Sequence, residues 1–267
     1  MGNIKMKSID YHIHTKFSGD SDASPVDYIK QAIKMQLEEI CFTDHRDFDY
    51  PIDSFDLDIE TYYQTIMALK KEYQDKIKIK WGIEIGLDLN YFQEINDLIN
   101  QYPFDFVIGS IHVIDHTEFY YGDFFKGLTK KQAHRRFFEE TLKCVKTFDC
   151  FNVLGHLDYI MRYGPYDNKK VEHTKYQDII DEIFKTLIDK DKGIEVNTSG
   201  YAVNGNCGFP NYNQVKRYFD LGGRIITIGT DSHAVDRIGQ HVEDVKDNLK
   251  KIGFKEISTF TNRIVDK

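Results

Sequence analysis

Six of the ten histidines in this sequence stand in short motifs with other metal-ligand residues or at the ends of apolar runs. They are His12 and His14 in His12-Ile13-His14, His45 in Asp44-His45, His112, His156 in His156-Leu157-Asp158, and His233 in Asp231-Ser232-His233. Glu84 closes Gly82-Ile83-Glu84 in the same kind of setting. Neutral imidazole and carboxylate together suit divalent Zn, Mn or Fe, and no thiolate accompanies them. The set exceeds what one tetrahedral ion needs, so two or three ions are expected. A water bridging such ions is acidic enough to attack phosphorus near neutral pH, and the ions offset charge on phosphoryl oxygens. A histidine taken singly is more often a core or surface residue than a ligand. His116, His134, His173 and His241 fall in helices or loops without acidic pairing and read as such residues, His116 the least plainly because it follows His112 closely.

Other residues fit a phosphomonoester. A dianion calls for cations beyond the metals, and the arginine fork matches phosphate oxygens. Arg162 follows His156 by a short loop and ranks first as a clamp; Arg46 adjoins His45 and Arg237 follows His233, and both read equally well as surface arginines. Departure of an alcohol benefits from a proton donor. Asp44 and Asp158 are candidates for it. The preferred reading of these two, and of Asp10, is that they orient ligand histidines through the free ring N–H.

Chemistry of this kind needs elements that bring distant residues to one rim. Short runs rich in Ile and Val predict strands at Ser8–His12, Glu39–Thr43, Ile77–Ile85, Asp105–Ile111, Asn152–Gly155, Gly193–Asn197 and Arg224–Gly229. Helical patterns lie between them. One starts at Ser24 as N-cap with Pro25 at the first position, Asp27 in the first turn, and Ile29, Ala32, Ile33 and Leu37 at helical spacing. Others cover Thr61–Asp75, Thr129–Thr147, Thr174–Asp191 and His241–Ile252, the last stopping at Gly253. Alternation of this kind predicts an α/β domain with a parallel sheet, open or closed into a barrel. Ligands then gather beyond the carboxyl ends of the strands, which is where the motifs stand. Residues two apart on a strand share a face, so His12 and His14 can converge.

Composition narrows the class. The 267 residues are 41% hydrophobic and 14% aromatic, and carry a net charge of −8. No repeat or linker divides them, so residues 1–267 read as one domain. The acidic balance argues against a nucleic-acid partner, and no apolar run approaches the length of a membrane span. The first residues lack the apolar core of a secretory signal, so a cytoplasmic setting is expected. The four cysteines form no CxxC pair and read as free thiols. Oligomeric state leaves no readable mark.

The ordered motifs His12-Ile13-His14-Thr15, Thr43-Asp44-His45, Gly82-Ile83-Glu84, His112, Gly155-His156 and Asp231-Ser232-His233 resemble those of the polymerase and histidinol phosphatase (PHP) superfamily. The resemblance implies a distorted, TIM-like (β/α)7 barrel with a trinuclear centre. It implies one ion on His12, His14, Glu84 and Asp231, a second on Asp20, His45 and His233, and a third on bridging Glu84 with His112 and His156. Many relatives have a third histidine where this chain has Ser18-Gly19-Asp20-Ser21-Asp22. Asp20 takes that place because aspartate does so in other relatives, and Asp22 reads as first-turn or cap chemistry. Segments His14–Asp20, Gly155–Tyr163, Glu195–Gly200 and Ile228–Ala234 look like the histidinol-phosphate phosphatase branch. That implies hydrolysis of L-histidinol phosphate, a small-molecule monoester of histidine biosynthesis. The amine and imidazole of such a substrate would be received by Asp115, Glu118, Phe119, Ser199 or Asn204. The competing readings are a PHP phosphoesterase for another ester, an amidohydrolase-type enzyme, and a non-catalytic metal-binding module.

Overall fold

The structure is a computed structural model that describes residues 6–48, 50 and 55–266. Residues 1–5, part of the segment read for a secretory signal, lie outside it. Seven strands form its centre: β1 (Ile9–Ile13), β2 (Glu39–Phe42), β3 (Lys78–Gly86), β4 (Phe106–Ser110), β5 (Val153–Leu154), β6 (Gly193–Asn197) and β7 (Ile226–Gly229). All pair in parallel and in chain order. Every expected strand is present, with ends shifted by a few residues at most. Each strand is buried along its length except Lys78 at the start of β3, as parallel strands covered on both faces require.

The sheet curls until β1 meets the end of β7, where the only pairing among the described residues is a parallel bridge between Ile13 and Ser232. The His14 N–H donates to the Ser232 carbonyl at 2.9 Å across this seam. The result is a nearly closed, distorted (β/α)7 barrel of the TIM type, and its weak seam carries four of the expected ligands. A register shift between Asp10 and Ile13 marks a bulge in β1 at His12. Bulges re-aim side chains beside functional sites, and both His12 and His14 are fully buried here. A two-residue strand, His45–Arg46, resumes beside β3 after a break at Thr43 and Asp44, and it registers His45 against Glu84.

Seven helices of nine residues or more lie between or after the strands among the described residues: α1 (Pro25–Lys34), α2 (Ile59–Glu72), α3 (Phe92–Gln101), α4 (Lys130–Thr147), α5 (Gln177–Asp189), α6 (Tyr212–Asp220) and α7 (Val242–Ile252). α1 begins at Pro25 as expected, but the Ser24 side chain makes no cap bond. Leu37 lies beyond α1, because Gln36 turns the chain at φ 58°. α4 carries the full reciprocal cap between Thr129 and Gln132. Two helices escaped the sequence patterns. α3, ten residues long, buries Ile95 and Ile99, and α6, nine residues long, buries Gln214 beside Val215 and Tyr218. No helix among the described residues is long and apolar enough to cross a membrane.

Candidate metal centre

The carboxyl ends of the strands bring residues 12 to 233 into one buried cluster. Glu84, fully buried on β3, stands at its middle. One oxygen, Oε2, lies 3.1 Å from His12 Nε2, 3.4 Å from His14 Nε2 and 3.0 Å from His45 Nδ1. The other, Oε1, lies 2.8 Å from His156 Nε2 and 3.4 Å from His112 Nε2, and accepts from Ser110 Oγ at 2.6 Å. Asp231 Oδ1 is 3.4 Å from His14 Nε2 and 3.8 Å from His12 Nε2. Asp20 Oδ2 reaches His233 Nε2 at 2.9 Å and His45 Nε2 at 3.6 Å.

The arrangement fits cations better than a hydrogen-bond network. His12 Nε2, His14 Nε2, His45 Nδ1 and Glu84 Oε2 are buried without a hydrogen-bond partner, and they face one another. Buried polar atoms are ordinarily satisfied, so a converging group of orphans marks a place for ions. Three groups of ligand atoms lie within 4.8 Å of one another: His12, His14 and Glu84; His14, Asp20, His45 and His233; and His45, Glu84 and His112. The nine expected ligands thus come together, with a different division from the expected one. His14 joins the group around Asp20, and His45 joins that of His112. His156 and Asp231 stand outside the tight groups: His156 contacts Glu84, and Asp231, expected with His12 and His14, lies 3.4 Å from His14 Nε2. Asp22 is exposed and takes no part in them.

The charges show what an ion would replace: against the effect of burial, Glu195, Glu84 and Asp231 hold His12, and Asp47 and Glu84 hold His112, well above the usual histidine range. Burial opposes ionisation of Glu84, yet His12, His45 and His112 hold its carboxyl well below the usual range. Burial likewise opposes the charge on Asp231, which Arg162 and His12 hold well below normal. Burial and the rings of His45 and His233 push His14 well below the usual histidine range, which leaves its ring neutral with a lone pair to give.

The orienting partners differ from those expected. His12 Nδ1 meets Glu195 Oε1 at 2.6 Å, His112 Nδ1 meets Asp47 Oδ1 at 2.9 Å, and His14 Nδ1 meets Ser18 Oγ at 3.2 Å. Asp10 instead accepts from the backbone N–H groups of His12, Thr230 and Gly239, and ties β1 to β7. Asp44 accepts from the backbone and hydroxyl groups of Thr15 and Ser18. Asp158 pairs with His173 Nε2 at 2.8 Å and accepts from the Asn211 N–H at 3.3 Å. None of the three touches a ligand ring. Asp44 and Asp158 are fully buried with their oxygens engaged, and burial pushes Asp44 up to about 6. His173 and, through Asp244 at 3.0 Å, His241 do have acidic partners, contrary to expectation. Glu195 and Asp47 were missed as orienting residues. Glu195 carries a signal, an acid inside the buried Ile-Val run of β6; Asp47 carries none beyond its place two residues after His45.

Among the cationic candidates, Arg162 is in place: it lines the cleft above the cluster, donates to Asp231 Oδ2 at 2.8 Å and bonds Ser199 Oγ. Arg46 is drawn away to Asp56 at 2.6 Å and lies over the Phe48 ring. Arg237 is exposed and lines a separate hollow behind Asp231 with Ser199. Four of the expected receivers of a substrate's amine end are engaged within the protein. Glu118 is buried and accepts from the Tyr120 and Tyr121 N–H groups. Phe119 packs in the core against Phe124 and Phe137. Asp115 pairs with Arg136, and Asn204 donates to the Gly208 carbonyl at 3.3 Å. A cleft of about 350 Å³ opens from Asp20, His45 and His112 towards Tyr159, Tyr163, Tyr120 and Tyr121.

A family model described as the PHP domain matches residues 10–199. The chain is 42% identical to a histidinol-phosphatase of Lactococcus lactis over 98% of its own length and 97% of the relative's. It is 34% identical to a probable histidinol-phosphatase of Clostridium acetobutylicum over 92% of this chain and 96% of that one. A crystal structure of the Lactococcus lactis histidinol phosphate phosphatase, complexed with zinc, L-histidinol and phosphate, superposes with a TM-score of 0.94 at 41% identity. That match covers 98% of this chain and all (100%) of the other.

Proposed function

The chain belongs to the PHP domain family, and we propose that it is a histidinol-phosphatase, hydrolysing L-histidinol phosphate to L-histidinol and phosphate. The observation that carries this reading is the convergence of unpartnered ligand atoms on Glu84 beside Arg162, in a chain 42% identical to such an enzyme over nearly its whole length. His12, His14, Asp20, His45, Glu84, His112, His156, Asp231 and His233 would hold two or three divalent ions, with zinc the first choice because the Lactococcus lactis structure carries it. Bound there, such ions activate water and offset phosphoryl charge. The chain supplies the rest. Arg162 turns its guanidinium from Asp231 and Ser199 towards the phosphate oxygens, and the walls of the cleft hold the ester in line. The tyrosines around that cleft receive the imidazole and ammonium end by stacking and cation–π contact. One domain over residues 1–267 and a reducing, cytoplasmic setting belong to the same reading; the second is supported by the free buried thiols of Cys41, Cys144 and Cys150.

The test is phosphate release from a panel of monoesters by metal-free protein reloaded with Zn, Mn or Fe. Histidinol phosphate should give the highest kcat/KM. A sugar or nucleotide monoester cleaved faster would overturn the substrate assignment. Glu84→Ala should abolish turnover with every metal.

A further inference from the structure

Glu195 sits 1% exposed in the middle of β6, and its two oxygens do different things. Oε1 meets His12 Nδ1 at 2.6 Å, while Oε2 accepts from the backbone N–H of His156 at 2.9 Å and from Asn197 Nδ2 at 3.1 Å. Room for this carboxylate is cleared by Gly229, where a Cβ would stand 2.2 Å from Oε1 and 2.3 Å from His12 Cβ.

The polarity of this network is set by backbone groups that can only donate. The His156 N–H requires an acceptor at Oε2. The Ser199 N–H, 3.0 Å from Asn197 Oδ1, requires the Asn197 oxygen to face away from Glu195 and its amide nitrogen to face Oε2. Ser199 Oγ continues the run, donating to Asn197 and accepting from Arg162. With Oε2 occupied by donors and Oε1 able only to accept, the His12 proton must sit on Nδ1. The lone pair is then on Nε2, which faces Glu84.

We infer that Glu195 is a positioning residue that selects the metal-binding tautomer of His12, and that the same hydrogen-bond run ties this choice to Arg162. The inference rests on the metal-pocket reading above. It has a consequence that packing alone does not. In Glu195→Gln the shape is kept, but the amide oxygen must take the place of Oε2 against the His156 N–H and the Asn197 amide. Its NH2 group then faces His12 Nδ1, which must accept. The ring proton moves to Nε2, where it blocks the ligand lone pair. Turning the amide the other way sets donor against donor at both His156 and Asn197. Glu195→Asp shortens the reach but keeps an acceptor at both ends.

The experiment titrates metal-free wild type, Glu195→Gln and Glu195→Asp with zinc against a chromophoric chelator, and compares their melting without metal. The isosteric Gln variant should lose about 10–100-fold in zinc affinity, as loss of an orienting carboxylate does elsewhere. It should bind at least as weakly as the Asp variant, while its metal-free Tm stays at the wild-type value. A Gln variant that binds zinc more nearly like wild type than the Asp variant would show that Glu195 acts by bulk, and would overturn the inference. If wild type itself takes up no zinc, Mn or Fe, the metal-pocket reading fails instead. Should the Gln variant not fold, nitrogen spectra of the zinc-loaded wild type decide. The His12 ring, assigned by its shift in Glu195→Asp, should carry its proton on Nδ1, and a proton on Nε2 overturns the inference.

Discussion

At the scale of single residues, Arg162 joins more parts of the site than Arg46 or Arg237 does. Its guanidinium is 2.8 Å from Asp231 and lies over the Tyr159 ring, so one side chain joins a ligand carboxylate, a cleft wall and the site offered to phosphate. Arg162→Ala should raise KM for the monoester and lower kcat/KM by roughly 30-fold or more, as truncating one partner of a buried charge pair costs about 2 kcal/mol or above. Arg162→Lys should recover only part of this, since it restores charge without the fork. An unchanged KM in steady-state kinetics would remove Arg162 from phosphate binding. His134 offers a test of pH dependence away from the centre. Both its ring nitrogens are buried in α4 without hydrogen-bond partners, and burial pushes its pKa down to about 4. The unfolded chain takes up this proton near pH 6.5 and the folded one only near 4, so the fold loses stability as pH falls through that window. Urea unfolding of wild type and His134→Leu should run parallel above that range and diverge within it, wild type falling by up to about 3 kcal/mol more. Parallel curves down to pH 4 would refute the burial argument.

At the scale of elements, the ligands are held by strand ends, and glycine decides how closely those ends approach. Gly229 ends β7 against both Glu195 and His12, and Gly86 ends β3 with its would-be Cβ 2.0 Å from Asp47 Oδ1. Both orienting carboxylates therefore fill space that a neighbouring strand leaves open. Gly229→Ala should destabilise the metal-free protein by about 1–3 kcal/mol, the usual toll of overpacking, and weaken metal binding by moving the His12–Glu195 pair. Chemical denaturation and metal content measure the two effects; wild-type values for both would show that the strand ends give way freely. The strands and most of the helices were legible because their periodicities are local. α3 and α6 escaped although both are amphipathic, because they are only ten and nine residues long and neither opens on a Ser-Pro start like that of α1.

At the scale of the molecule, the barrel is least paired where its chemistry is concentrated. Among the described residues β1 and β7 share a single bridge, yet His12 and His14 from one side and Asp231 and His233 from the other lie across it. Ions bound there would act as the missing cross-links, and they bind the folded chain alone. Chelation should therefore lower Tm by on the order of 10 °C, from about 4 kcal/mol at metal concentrations near a thousandfold over Kd. Glu84→Ala should be indifferent to chelator. A wild-type melting curve that ignores chelation would mean that the seam holds without metal.

What the sequence determined by itself was the inventory and the order. Ligand-type residues at the ends of apolar runs, strand and helix periods that alternate, and a metal chemistry of imidazole and carboxylate without thiolate are all written in neighbouring residues. Tertiary structure alone decided which carboxylate orients which ring. Asp10, Asp44 and Asp158 stand beside ligands in sequence but bond backbone groups, hydroxyls or His173, while Glu195 reaches His12 across 183 positions. It also decided that Phe119 and Glu118 are interior and that tyrosines line the cleft. The physical reason is that a carboxylate's role depends on which donor it meets in three dimensions. In a parallel barrel those donors come from strands far apart in the chain, as β1 and β6 are, which meet across the end of β7.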